Sequence, residues 1–336
     1  MTHYALSCVC QFCIVLLSCF TFRAYAAEPA PQFSLPIDCQ LGVNCFIQNY
    51  VDADASAAYS DYHCGFLSYD GHRGTDFRPK DANIFAANSA VLAAAAGYVR
   101  AVRDGMSDVS VRVQGAASVK NREAGNSVVI VHSKDWESQV AHLKNGSVAV
   151  RVGQYVKRGD LLGFVGLSGN TEFEHLHFEV RYQGKPVDPF IGLQPADNCA
   201  VGKQALWTAQ ALAALNYIPS AVWALGVTDH ALIADEPLVA SNTLTADAAA
   251  LVFWVQTLGL QAGDAQRFII TAPDGKVLIE KSLPVARTMA QNRSFVGIPR
   301  RQANWTKGTY RLSYQLLRAG DIVVSGQLAA LLGASD

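Results

Sequence analysis

Between residues 37 and 199, short apolar runs alternate with turn residues. Residues 91–102, 127–132, 138–143, 161–165 and 175–182 are rich in β-branched residues, which predicts strands. Ser133-Lys134-Asp135-Trp136 and Gln183-Gly184-Lys185-Pro186 read as the turns around them. The Ala-rich stretch 205–215 predicts a short helix or a plain connection. A second strand series then begins near Ala221, with candidates at 251–257, 267–271 and 277–280; Ala272-Pro273-Asp274-Gly275 turns the last two back on each other. In residues 310–316 large apolar side chains alternate with small or polar ones, as in a half-buried antiparallel strand. The expectation is a mainly β protein. An antiparallel β domain spans 27–200, a linker 201–220, and an immunoglobulin-like β-sandwich 221–336.

Composition changes this picture at the N-terminus. An apolar stretch begins near Tyr4 and runs through 14–22 to the small-x-small triplet Ala24-Tyr25-Ala26, which predicts a secretory signal peptide over 1–26, although only His3 stands where a basic segment is usual. The run is shorter than the ~20 residues of a membrane-spanning helix, and no later run is long enough. The chain is therefore expected to be exported, to the periplasm or beyond; Leu16-Leu17-Ser18-Cys19 offers lipid anchoring at Cys19 as a minor alternative. Removal of the signal leaves Cys39, Cys45, Cys64 and Cys199, an even number suited to an oxidising compartment. Four cysteines allow three pairings. Cys39 with Cys45 and Cys64 with Cys199 is the preferred set, against a zinc-thiolate site that would lack any C-x-x-C pair. The net charge of −1 and the absence of a basic run give nucleic acid no footing.

The candidate chemistry lies in the first domain. Gly71-His72-Arg73-Gly74-Thr75-Asp76 offers a His and an Asp four apart, expected on one side of an extended segment. Glu174-His175-Leu176-His177-Phe178-Glu179-Val180 places His175 and His177 on one strand face. Val140-Ala141-His142-Leu143 adds a further imidazole. Two His and one carboxylate leave an open fourth position on Zn2+, and two more imidazoles supply a proton acceptor and an oxyanion partner. Each piece alone has an ordinary reading: H-x-x-x-D is common, and an H-x-H strand pair is more often surface or core. Glu179 is either a support for a ligand or a plain surface carboxylate. His63, His132 and His230 lack partners at ligand spacing, and the Asn-x-Ser/Thr matches at Asn145 and Asn304 carry no weight.

Together with Val152-Gly153-Gln154-Tyr155-Val156-Lys157-Arg158-Gly159-Asp160, Gly166-Leu167-Ser168-Gly169-Asn170 and Val187-Asp188-Pro189, these motifs resemble, in order and spacing, the LytM/lysostaphin-type zinc metallopeptidases across about residues 71–190. The resemblance implies a small antiparallel sheet with a narrow groove over the metal, one Zn2+ per chain on His72, Asp76 and His177, and His142 and His175 in catalysis. It implies peptidoglycan as substrate, with the D-alanyl–diaminopimelate cross-link the target in a wall of Gram-negative type. Phe173-Glu174 replaces the Gly-Pro of many members, and the loop 103–127 is long; both bear on substrate preference. Tyr69 and Asn170 are candidate substrate contacts. Some relatives have lost ligands and activate other wall enzymes, whereas all five key residues are kept here. Rival readings are a non-catalytic wall-binding regulator on the same fold, an enzyme attacking competitors' walls, and a peptidase for proteins, separable by testing casein against sacculi. The C-terminal half carries no catalytic cluster and would serve binding or positioning, with a cell-envelope protein as a possible partner. The segment 32–49 is a candidate inhibitory lead over the groove.

Overall fold

The alternation in residues 175–182 organises the first half of the protein. In a computed structural model, which describes Met1 and residues 29–80, 89–194, 199–230, 240–301 and 304–333, this segment becomes an interior strand of the main sheet. The expected signal segment and Cys19 lie outside the described residues. The first half contains β1 (Cys45–Asn49), β2 (Thr75–Pro79), β3 (Ala90–Leu92), β4 (Gly97–Arg103), β5 (Asn126–Val131), β6 (Trp136–Leu143), β7 (Tyr155–Val156), β8 (Leu161–Phe164), β9 (Leu176–Tyr182) and β10 (Lys185–Val187). The main sheet runs β1-β2-β9-β6-β5-β4-β7, with β10 on β9, while β3 and β8 pair separately. All these pairings are antiparallel.

Strand β9 shows why the sheet has two unlike faces. Leu176, Phe178 and Val180 point into the core and are at most 1% exposed, packed with Phe33 and Trp207. His177, Glu179 and Arg181 alternate with them and face the groove side. The run 91–102, expected as one strand, is divided: residues 93–96 are alanines without alternation, and the chain turns there between β3 and β4. The long loop 103–127 holds a short helix α1 (Val111–Gln114) and a 3-10 turn, Ala116–Val119.

The segment 32–49 does not cover the groove. Phe33 bridges Trp207 on the far side of the sheet, β1 forms the edge beside β2, and no residue of the segment lines the groove. Disulfides join Cys39 to Cys45 and Cys64 to Cys199.

The Ala-rich stretch gives helix α2 (Ala209–Ala214), capped by Thr208, whose hydroxyl accepts from the Ala211 amide. Leu206, Trp207, Ala211 and Leu215 are buried in the first core. The second half then contains β11 (Ala221–Thr228), β12 (Thr243–Leu244), β13 (Ala250–Leu260), β14 (Ala265–Thr271), β15 (Val277–Pro284), β16 (Met289–Pro299), β17 (Gly308–Arg318) and β18 (Asp321–Leu332). They form a sheet β11-β13-β16 and a sheet β12-β18-β17-β14-β15. The inward residues of both sheets share one core, including Phe253 and Val255 from one and Phe268, Tyr310 and Leu312 from the other. The protein is mainly β, with two sheets face to face in its second half.

The halves touch through specific side chains. Trp223 on β11 and Leu258 on β13 belong to the first core, and the Arg78 guanidinium at the end of β2 donates to Gln291 on β16 at 2.8 Å. No helix among the described residues is long and apolar enough to cross a membrane.

Candidate metal centre

The sheet register brings the predicted groups together. Asp76 on β2 sits opposite His177 on β9, and His177 is in turn opposite Ala141 on β6, next to His142. His72 is not in the extended segment with Asp76, as expected from spacing. It lies in the turn before β2, where its amide donates to the Tyr69 carbonyl. Gly74 lets that turn close: a Cβ there would lie 2.5 Å from His177 Nε2 and 2.8 Å from the Phe178 carbonyl. His142, the residue before the last of β6, has φ +61°, a left-handed conformation that non-glycine residues adopt at a cost of about 1–3 kcal/mol. Its amide donates to the Ala124 carbonyl and its carbonyl accepts from Gly166, which hold it there.

Two donor groups result: His72, Asp76 and His177, and His142, His175 and His177, each with ligand atoms within 4.8 Å of one another. His72 Nδ1 donates to the Tyr50 carbonyl at 2.6 Å, so its Nε2 carries the lone pair. That Nε2 is buried, makes no hydrogen bond, and faces Asp76 Oδ2 at 3.1 Å. Two acceptors at that distance repel each other unless a cation lies with them, which suits Zn2+ and its N/O ligands. Asp76 Oδ1 is 2.9 Å from His177 Nδ1 and 3.5 Å from His175 Nε2, while Asn49 Nδ2 donates to Oδ2 at 3.2 Å.

His142 Nδ1 donates to the Ser168 carbonyl at 2.8 Å, and His175 Nδ1 to the Phe173 carbonyl at 3.0 Å. A carbonyl can only accept, so each ring keeps its free lone pair on Nε2. Burial lowers both pKa values, with His142 well below the usual range because His175 and His177 add to the effect; both rings are neutral bases. Burial also opposes charge on Asp76 and His177, but their partners prevail. The surrounding imidazoles hold the Asp76 carboxyl well below its ordinary value, and Asp76 and Glu179 raise His177 to about 9. Glu179 is no plain surface group. It is 5% exposed, accepts from Arg181 at 2.9 Å, and its other oxygen lies 3.6 Å from His177 Nε2.

Above these groups opens a groove of about 380 Å³ whose lining includes Tyr69, His72, His142, Asn170, His177 and Arg181. The Tyr69 ring lies 4.5 Å from that of His72, and both predicted substrate contacts, Tyr69 and Asn170, line the groove alongside the candidate ligands His72 and His177. His63 stacks on Tyr217, His132 bonds Ala96 and Ser138, and His230 contacts Thr228 and Asp229; all three lie outside both donor groups.

Residues 70–189 match the model of peptidase family M23. This segment is an M23 domain. Among curated proteins, the M23 domain and its surroundings are similar to the DD-carboxypeptidase/endopeptidase Mpg of Neisseria meningitidis, at 34% identity over 104 residues, 30% of this chain and 24% of that protein. They are also similar to the murein hydrolase activator NlpD of Escherichia coli, at 43% identity over 68 residues, 20% of this chain and 17% of that protein. A solved zinc-containing peptidase from Vibrio cholerae is 26% identical over 46% of this chain and 40% of its own, with a TM-score of 0.27. The chain spans only 12–24% of the length of such curated relatives.

Several residues that hold the M23 site were not evident in the sequence. Asn49 and the Tyr50 carbonyl come from the segment before the domain, and Ser168 and Thr171 act on His142 and His175 through a carbonyl and a hydroxyl. Their motifs were visible, but a backbone carbonyl's role leaves no side-chain signature.

Proposed function

We propose that the protein is an exported zinc endopeptidase that hydrolyses peptide cross-links of bacterial peptidoglycan. The observation that carries this is the buried, unbonded His72 Nε2 facing the Asp76 carboxylate, with two neutral imidazoles beside it. In this reading His72, Asp76 and His177 hold Zn2+, and Glu179 orients His177 from behind. Bound zinc would supply Lewis-acid polarisation of the scissile carbonyl and a water whose pKa falls to about 7. His142 or His175 takes the proton of the attacking water at Nε2 and passes it to the departing nitrogen. The carbonyls of Ser168 and Phe173 keep each Nε2 lone pair available for that task. Tyr69 and Asn170 border the groove where the peptide would lie.

The Neisseria relative is named for carboxypeptidase and endopeptidase activity, and the E. coli relative as an activator of murein hydrolases. Retention of all five His/Asp groups, in one cluster, favours catalysis over the regulator reading. The two-sheet C-terminal half is proposed as an accessory domain over 221–336 for binding or positioning, of the immunoglobulin-like type expected from its sequence. Digestion of purified sacculi by the chain from Ala27, read by mass spectrometry, tests the proposal. Release of cross-link peptides, lost with chelator and in His177→Ala, is the expected result. Intact sacculi after treatment with folded, zinc-loaded protein would favour the regulator.

A further inference from the structure

His175 stands just before β9, at the end of a segment, residues 170–175, that lies in neither helix nor strand. That segment aims the ring. His175 Nδ1 donates to the Phe173 carbonyl at 3.0 Å, and the Thr171 hydroxyl donates to the same carbonyl at 2.7 Å. Whatever fixes residue 173 therefore fixes which His175 nitrogen holds the proton. One side of the segment is held by α1 and its approach. The Val111 amide donates to the Thr171 carbonyl at 2.8 Å, the Ser110 hydroxyl donates to the Glu172 carbonyl at 3.0 Å, and Arg112 pairs with the Glu172 carboxylate at 2.7 Å.

The other side is held by Arg78. Its guanidinium lies over the Phe173 ring, 4.3 Å from the ring centre, and the Glu174 carboxylate acts on the same cation. Arg78 is itself fixed in place and buried. Its Nη1 donates to Gln48 on β1 at 2.7 Å and to Gln291 on β16 at 2.8 Å, and the Trp223 ring on β11 lies 5.1 Å away. Gln291 in turn accepts from Gln256 on β13 at 3.1 Å. Burial pulls the Arg78 pKa down to about 9, with Glu174 opposing and Arg293 adding to the shift, so the group is still a cation at neutral pH. A desolvated cation over an aromatic face is the strong form of that contact. The Phe173 ring also lies 5.1 Å from the His175 ring, so one residue meets the guanidinium and the imidazole together.

We propose that Arg78 is a positioning residue for His175. It holds the Phe173 ring, and with it the carbonyl that sets the His175 tautomer, against an anchor shared by β1 and β16. The C-terminal half is thereby part of the frame of the active site, beyond any role in binding. Residues 173 and 174 are also where this chain departs from the Gly-Pro of many members of the family it resembles. Proline restricts its own φ and the backbone of the residue before it. Phe173-Glu174 has no such restriction, and both side chains engage Arg78 instead, one by its ring and the other by its charge. The catalytic consequence rests on the reading of His175 as a proton carrier; the hold on its tautomer stands without that reading.

The test compares the full zinc-loaded protein, with isotope-labelled histidine, as wild type, Arg78→Met, Phe173→Ala and Gln291→Leu. Long-range nitrogen–proton spectra of the wild type are expected to show His175 as one neutral form, protonated at Nδ1. In Arg78→Met and Phe173→Ala the form protonated at Nε2 is expected beside it. Their kcat on a soluble cross-linked muropeptide dimer should fall about tenfold, at unchanged KM and zinc affinity. Gln291→Leu should act in the same way by about threefold. Phe173→Tyr keeps the ring and is expected to restore the single form, which a general loss of stability would not explain. Phe173 is half-buried outside helix and strand, so Phe173→Ala carries the test if Arg78→Met does not fold. A single, unchanged His175 form in Phe173→Ala, or a kcat loss that follows zinc affinity, would overturn the proposal, and an inert Gln291→Leu would strike β16 from the frame. If the wild type leaves the dimer intact while the spectra respond as expected, the catalytic reading goes and the positioning stays. Cleavage with unresponsive spectra removes the positioning alone.

Discussion

The two halves of the molecule both bury polar groups, and they do so in opposite ways. In the C-terminal half, Asn292 donates to Ser294, and Ser294 to Gln266. Thr257 donates to the Tyr314 hydroxyl, which donates to Gln266 in turn. Asp264 accepts from Arg318 Nε and Nη2, each at 2.9 Å. Each of these donors meets an acceptor, and the network completes itself. In the M23 domain one acceptor is left unmatched: Asp76 accepts from Asn49 and bonds His177, yet its Oδ2 also faces the unbonded His72 Nε2, and two neutral imidazoles stand beside it with free Nε2 lone pairs. Polar burial by itself therefore says little about function. A buried ring nitrogen that faces a carboxylate oxygen and makes no hydrogen bond, as His72 Nε2 does, is what marks a site for a cation.

Substituting one carboxylate in each half puts this contrast to its sharpest test. Asp76 and Asp264 are almost equally buried, at 3% and 2% exposure. Asp76→Asn is expected to lower sacculus cleavage about a thousandfold or more, on the order of 4 kcal/mol in the barrier, in a protein that still folds. Asp264→Asn should leave kcat of the folded protein unchanged, yet cost about 3 kcal/mol of stability by stranding Arg318. Urea unfolding and initial rates on both variants check the pair. Substantial cleavage by Asp76→Asn would remove the distinction drawn between the halves.

The ionisation of the M23 cluster gives the next largest effect. In the metal-free protein His177 has its pKa raised to about 9, so its contribution to stability is full below about 6.5 and is lost as pH rises through 9. Asp76 is shifted the other way, and its contribution is present above the usual carboxylate range and lost only in acid. Zinc must displace the His177 proton to use that nitrogen. Its affinity is therefore expected to rise about tenfold per pH unit between roughly 7 and 8.5, with one proton released per ion. Calorimetric titration in buffers of different ionisation enthalpy measures the proton. A pH-independent affinity would mean that His177 is not a ligand.

Much of this contrast was legible in the sequence, and the missing parts share a cause. The alternation in 175–182 marks one apolar and one polar face, which is why His177 and Glu179 point together in the structure. The strand 310–316 likewise appears within β17. Side-chain chemistry at fixed spacing could be read because each of the five groups names itself. What spacing did not reveal depends on backbone geometry or on distant chain. His72 reaches Asp76 from a turn, not along a strand; His142 is aimed by a left-handed φ; and the Tyr50 carbonyl sets the His72 tautomer from 22 residues away. The Arg78 contacts are longer-range still, since Gln291 is 213 residues on. Residues 91–102 fail as one strand because a run of alanines carries no period to show where the chain turns.

The smallest expected effect tests whether the C-terminal network is as self-contained as its hydrogen bonds indicate. The Tyr314 hydroxyl is buried, accepts from Thr257 at 2.8 Å and donates to Gln266 at 3.1 Å. Tyr314→Phe keeps the ring and its packing against Phe268 but strands the Thr257 donor and one Gln266 acceptor site. Gln266 retains its bond from Ser294, so only part of the network is lost. The expected cost is about 1–2 kcal/mol of unfolding free energy, with no change in zinc affinity or cleavage rate. Denaturant unfolding with and without zinc measures both. If zinc affinity fell along with stability, the network would be coupled to the M23 cluster through the junction of Trp223, Arg78 and Phe173, and the two halves would have to be treated as one cooperative site.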